Sequence, residues 1–183
     1  MAAAVCRLDY YNGASPTFTG GSYSGVMAEG GIKFNRDDTL TGTTPIPIPT
    51  ATGTNFSWLK NLALDVTTVG TTSISNRRIY FGSSPTTGLN GFYKSVATGS
   101  YAQASSGNKP TDSGSNGATP AGYTVMATSL GGASNYDASS VATSTLGVNG
   151  SLAVCVCSVD FTFAGGPGSA TALPDIKLTF DEA

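Results

Sequence analysis

Ser151-Leu152-Ala153-Val154-Cys155-Val156-Cys157-Ser158-Val159-Asp160-Phe161 is a run in which both alternating sets of side chains are apolar. Leu152, Val154 and Val156 make one set, and Ala153, Cys155, Cys157, Val159 and Phe161 make the other. Successive side chains of a strand point to opposite faces, so a strand of this composition needs cover on both sides. It belongs at the centre of a sheet or under a neighbouring subunit. Cys155 and Cys157 would then share a face as buried free thiols, in preference to a metal site. Together with Cys6 they are too few, and odd in number, for a disulfide framework.

Working outward, Ile176, Leu178 and Phe180 alternate with Lys177, Thr179 and Asp181, the pattern of a half-buried strand. Further strand candidates are Val5 to Tyr11, Gly25 to Phe34, Ile79 to Gly82, Gly91 to Val96 and Gly122 to Ser129. Asn55 to Val69 fits two periods. Phe56, Trp58, Leu62, Leu64 and Val66 follow a two-residue repeat, while Phe56, Leu59, Leu62, Ala63, Val66 and Val69 fall on one helical face. The all-β surroundings and the Val-Thr-Thr-Val-Gly ending favour a strand, with Trp58 as a core anchor. Gly and Pro punctuate the chain throughout, and Asn-Gly pairs at Asn12, Asn90, Asn116 and Asn149 mark turns. The expected fold is an all-β sandwich or jelly roll of about eight antiparallel strands with long Gly/Ser/Thr/Pro-rich loops. The 183 residues suit one domain, with an N-terminal arm over residues 1–8 and a long loop over residues 103–122.

The loops differ in character. Pro45-Ile46-Pro47-Ile48-Pro49 lacks a backbone donor at alternate positions, so it should run extended and leave Ile46 and Ile48 free to pack on something. Residues 103–122 are too polar to fold alone, and require either neighbouring molecules or close packing within the fold to hold them.

Charged residues are 11% of the chain, against roughly a quarter in an ordinary soluble domain. A surface of Ser, Thr, Asn and Gly repels its own kind weakly and suits a protein packed against neighbours, although an extracellular β protein could look the same. With a net charge of −2 and no basic cluster longer than Arg77-Arg78, nucleic acid is not an expected partner. No apolar stretch has the length of a membrane-spanning helix, and the opening Met1 to Asp9 segment lacks the pattern of a secretion signal, which implies synthesis in a cytosol.

The chain has no histidine, which removes the commonest general base and the Ser-His and Cys-His nucleophile pairs. Eleven acids are scattered with no spacing that pairs them. Asn35-Arg36-Asp37-Asp38-Thr39 gathers oxygen donors, and reads as an Asx turn in preference to a calcium loop. The Gly-rich pieces lack the lysine and spacing of a phosphate loop. The eight tyrosines suit core-edge and interface roles more than a sugar-stacking face. No catalytic residue, metal ligand or cofactor is expected.

Trp58-Leu59-Lys60-Asn61-Leu62-Ala63-Leu64-Asp65-Val66 and Thr72-Ser73-Ile74-Ser75-Asn76-Arg77-Arg78-Ile79-Tyr80-Phe81 resemble β-sandwich accessory proteins of tailed-bacteriophage virions. The final Leu173 to Phe180 segment is in the same style. The likeness spans about a third of the chain and carries no signature residue. It implies a capsid decoration or cement protein on the virion surface, often trimeric, whose partners are the major capsid protein and copies of itself. The alternative is a tail or fibre module that binds a host-surface glycan. Partner contacts are expected at Ala2, Ala3, Ala4, Val5, Ile46, Ile48, Tyr101, Asn108 and Lys109, in the N-terminal segment, the proline-rich segment and the long loop.

Overall fold

The computed structural model describes residues 3–18, 25–26, 34–39, 44–148, 150–164 and 175–183. Among them the regular structure is strand, apart from two 3-10 turns at Thr98–Ser100 and Leu130–Gly132. The strands are β1 (Val5–Tyr11), β2 (Gly25–Val26), β3 (Thr54–Phe56), β4 (Lys60–Thr68), β5 (Ser73–Phe81), β6 (Leu89–Ala97) and β7 (Thr124–Val125). They continue with β8 (Asn135–Asp137), β9 (Val141–Ala142), β10 (Gly147–Val148), β11 (Ser151–Asp160) and β12 (Ile176–Glu182). The segment of double periodicity is strand, interrupted at Ser57, Trp58 and Leu59 so that it forms β3 and β4. Three short pairings, β8, β9 and β10, had no signal in the sequence pattern.

Two antiparallel sheets make a β-sandwich. The larger runs β2-β1-β4-β11-β6-β7, with β10 and β3 joining β4 and β11; the smaller runs β12-β5-β8, with β9 joining β5. The doubly apolar strand β11 lies in the middle, between β4 and β6. Its Ala153, Cys155, Cys157 and Val159 face the smaller sheet, in a core with Leu62, Ile79, Phe81, Tyr93 and Tyr136. Its Leu152, Val154 and Val156 face away, into a second core with Tyr11, Phe56, Ala63, Phe92 and Ala104. Phe18, Trp58, Tyr101 and Tyr123 pack over that second core. The chain therefore covers β11 on both faces itself, and the strand needs no neighbouring subunit. The two cysteines share a face as buried free thiols.

Close approach of the sheets depends on Gly91. A Cβ there would lie 2.2 Å from the Phe81 ring and 3.1 Å from Met126 Sδ. The Asn90-Gly91 pair is thus inside β6, not at a turn. The other three Asn-Gly pairs place glycine at positive φ, +81° at Gly13, +62° at Gly117 and +108° at Gly150, as turns require.

Other expectations shift in the tertiary structure. Val5 to Leu8 are the first half of β1, in register with β4, so they do not form a free arm. Ile46 is 7% exposed and joins the inter-sheet core, and Ile48 packs against the same core. Ile46 is spent on the protein's own interior, which corrects its assignment as a partner contact, while Ile48 is only partly buried.

Candidate functional site

The long loop is held from within. Thr54 and Ser113 exchange two backbone hydrogen bonds of 2.8 Å, the Gly53 N–H donates to Asn116 Oδ1 at 2.7 Å, and Thr54 Oγ1 donates to the Ser115 carbonyl at 2.8 Å. Asp112 is the centre of the attachment. It accepts from the Phe56 N–H at 2.9 Å and pairs with Arg36 at 3.0 Å and Lys109 at 2.8 Å. Partial burial opposes ionisation, but bonds from Lys109 and the Phe56 N–H, with the Arg36 charge, hold the carboxyl below its usual range. Of the two explanations for an ordered loop, packing within the fold is sufficient.

Folding the loop back over β3 and β6 leaves an open cleft of about 440 Å³. Phe56 and Tyr123 supply aromatic wall, Lys94 and Lys109 supply cations, and Asn108, Thr111 and Thr119 supply polar groups. Lys94 Nζ lies 4.7 Å from the centre of the Tyr123 ring, a cation–π contact. Two of the expected contact residues, Asn108 and Lys109, meet here. Asn108 is exposed, with Nδ2 donating to the Gln103 carbonyl at 2.9 Å, while Lys109 is committed to Asp112. Lys94 and Tyr123, which complete the site, carried no local signal, because only the returning loop brings them under its residues.

The other expected contacts are elsewhere. Tyr101 points inward, its hydroxyl donating to the Gly13 carbonyl at 2.9 Å and its ring 5.6 Å from that of Phe18. Burial, with the Asp38 charge adding to it, pushes this phenol up to about 12. Ala3 and Ala4 lead into β1, whose first residue, Val5, is exposed. Ala2 lies outside the described residues.

A cluster of acids that the sequence did not pair forms on the outer face of β1 and β4. Arg7, Asp9 and Tyr11 alternate along β1, and the register sets Arg7 opposite Asp65. Asp9 and Asp65 are both 0% exposed. Arg7 pairs with Asp9, Nη2 donating to Oδ2 at 2.9 Å and Nε lying 2.8 Å from Oδ1, and the Tyr11 hydroxyl donates to Asp65 Oδ2. Burial raises Asp65 to about 7; the Tyr11 bond opposes that rise, and the hydrogen bond and charge of Asp9 add to it. The burial of the pair gives a substrate no access to the oxygens. The cue was present as Asp65 inside an apolar run and Asp9 two residues from Arg7, yet nothing local links residues 9 and 65.

The oxygen-rich turn is filled by an amine of the protein. Lys60, 2% exposed, donates from Nζ to Asn35 Oδ1 at 2.7 Å, the Asp37 carbonyl at 2.7 Å and the Thr39 carbonyl at 3.0 Å. The Asp37 N–H donates to Asn35 Oδ1 at 3.2 Å, which closes the expected Asx turn. Burial lowers Lys60 to about 8 against the opposing charges of Asp37 and Asp38, so it remains an ammonium at neutral pH. Among the described residues no three Cys, Asp or Glu side chains are grouped to hold a metal. Comparison with family models, curated proteins and solved structures returns no match to this chain.

Proposed function

We propose that this chain is a structural virion protein that decorates a bacteriophage capsid and stabilises it by bridging major capsid subunits. The observation that carries the reading is an apolar end on the larger sheet. β1 begins at Val5 opposite Thr68, β10 begins at Gly147 opposite Val66, and Val69 follows the last residue of β4. Val5, Val69 and Leu146, at or next to these strand ends, are 54%, 48% and 38% exposed. Exposed aliphatic groups on a sparsely charged, hydroxyl-rich surface favour cover by a partner. The resemblance of Trp58 to Val66 and Thr72 to Phe81 to phage accessory proteins suggests which partner: the capsid lattice, with neighbouring copies of the chain beside it. The mechanism is thermodynamic. A protein that binds only the expanded shell stabilises that state by mass action, and internal pressure must then break additional contacts. No catalytic group, cofactor, nucleic acid or membrane takes part.

Adding purified protein to undecorated, expanded heads should raise their resistance to heat or osmotic shock. Val5→Asp combined with Val69→Asp should weaken that binding at least tenfold while the isolated domain melts within a few degrees of wild type, since exposed side chains add little to the core. Heads that bind nothing and gain no resistance overturn the reading. The second reading, a tail or fibre module for a host-surface glycan, is favoured by the Lys94–Tyr123 cleft alone.

A further inference from the structure

We infer that the cleft between β6 and the 108–121 segment is a binding site for an acidic saccharide, a sugar unit carrying a carboxylate. This goes beyond capsid attachment and does not depend on it, because β6 is separated from β1 by β4 and β11 in the larger sheet. The volume of about 440 Å³ lies in the range of roughly 300–1,000 Å³ typical of small-molecule sites.

Charge selects an anion. Lys109 is neutralised by Asp112 at 2.8 Å, whereas Lys94 has no carboxylate within ion-pair distance among the described residues. The Tyr123 ring at 4.7 Å positions the Lys94 ammonium without neutralising it. A ligand carboxylate would complete a charge-assisted hydrogen bond there. The rest of the lining fits a polyol. Asn108, Thr111 and Thr119 are exposed groups of the cleft that can donate and accept, and Tyr123 and Pro110 offer apolar surface for sugar C–H faces.

β6 is bonded on one side to β11, with Lys94 opposite Val154, and on the other to β7 through Phe92 and Tyr93. β7 covers that edge only beside Phe92 and Tyr93, so an extended acidic peptide is the competing ligand that the titration must separate from a sugar.

The test is a titration of isotope-labelled protein with glucuronic acid and sialic acid disaccharides, each paired with its neutral counterpart, and with hexaglutamate. At least one acidic sugar should give saturable amide shifts at residues 94, 108–111 and 119–123, and bind at least tenfold more tightly than its neutral counterpart. Lys94→Met keeps the aliphatic stem over Tyr123 and should abolish the preference with the rest of the spectrum unchanged. Thr119→Trp should block the cleft by bulk and reduce binding of both sugars. Absence of saturable shifts with every acidic sugar overturns the assignment, as does equal affinity for acidic and neutral sugars. A preference that survives Lys94→Met overturns it too. Tighter binding of hexaglutamate in the cleft would assign the site to a protein partner instead.

Discussion

Asp65 is where a single residue has the largest consequence for how this protein responds to its surroundings. Its carboxyl titrates near 7 in the folded chain, against about 4 when unfolded. Between those values the native state binds more protons than the unfolded state, so the stability contributed by this group is greatest below about pH 4 and falls as pH rises to about 7. The chain has no histidine to titrate in the same window. Urea unfolding at pH 5 and pH 7 should therefore show the protein more stable at pH 5. Asp65→Asn, which retains an acceptor for the Tyr11 hydroxyl, should flatten that slope; an unchanged slope would locate the proton elsewhere. Asp65 and Lys60 were legible only as polar residues inside an apolar run. Their partners, Asp9 and the Asn35 to Thr39 turn, come from strand pairing and a loop crossing that no local pattern encodes.

At the scale of elements, two joints hold loops and sheets in place. Arg77 on β5 and Asp137 on β8 form a buried ion pair of 2.6 Å, and the Ser151 N–H that opens β11 donates to Asp137 at 2.7 Å. Burial opposes ionisation of Asp137, but bonds from Ser139 and Ser151, with Arg77, hold it far below the usual carboxylate range. Gly150 completes this joint between the sheets, because a Cβ there would lie 2.4 Å from Arg77 Nη2 and 2.7 Å from Asp137 Oδ2. Its φ of +108° is also strained for any other residue. Gly150→Ala should cost about 2 kcal/mol or more in chemical denaturation, and Arg77→Ala about 3 kcal/mol by leaving Asp137 with its Ser139 and Ser151 bonds but without its counter-charge. The second joint is Asp112. Because its pairs are partly exposed, Asp112→Asn should cost only about 1 kcal/mol globally. Its clearer effect should be faster hydrogen exchange across residues 103–122, as the loop loses the group that gathers Arg36, Lys109 and the Phe56 N–H.

For the whole molecule, internal cover of β11 changes what self-association must rest on. Under the proposed function, exposed Val5, Val69 and Leu146 are then the groups that neighbouring copies would cover. Light scattering at high micromolar concentration should show a mass above one chain, reduced to one chain by Val5→Asp; a wild-type monomer would leave assembly to the capsid lattice alone. The sequence by itself determined the all-β class, the central place of residues 151–160, though not the exposure of Phe161 just beyond them, the half-buried pattern of residues 176–180, and the free buried thiols of Cys155 and Cys157. Each follows from alternation along one strand, a property that the side chains of that strand carry locally. Tertiary structure alone decided that loops supply the second cover of β11, that Ile46 turns inward, that Asp9 meets Asp65, and that Lys94 and Tyr123 lie under Asn108. Those outcomes depend on contacts between residues far apart in the chain. Their geometry is set by which strands pair, and in what register, once the two sheets close on each other.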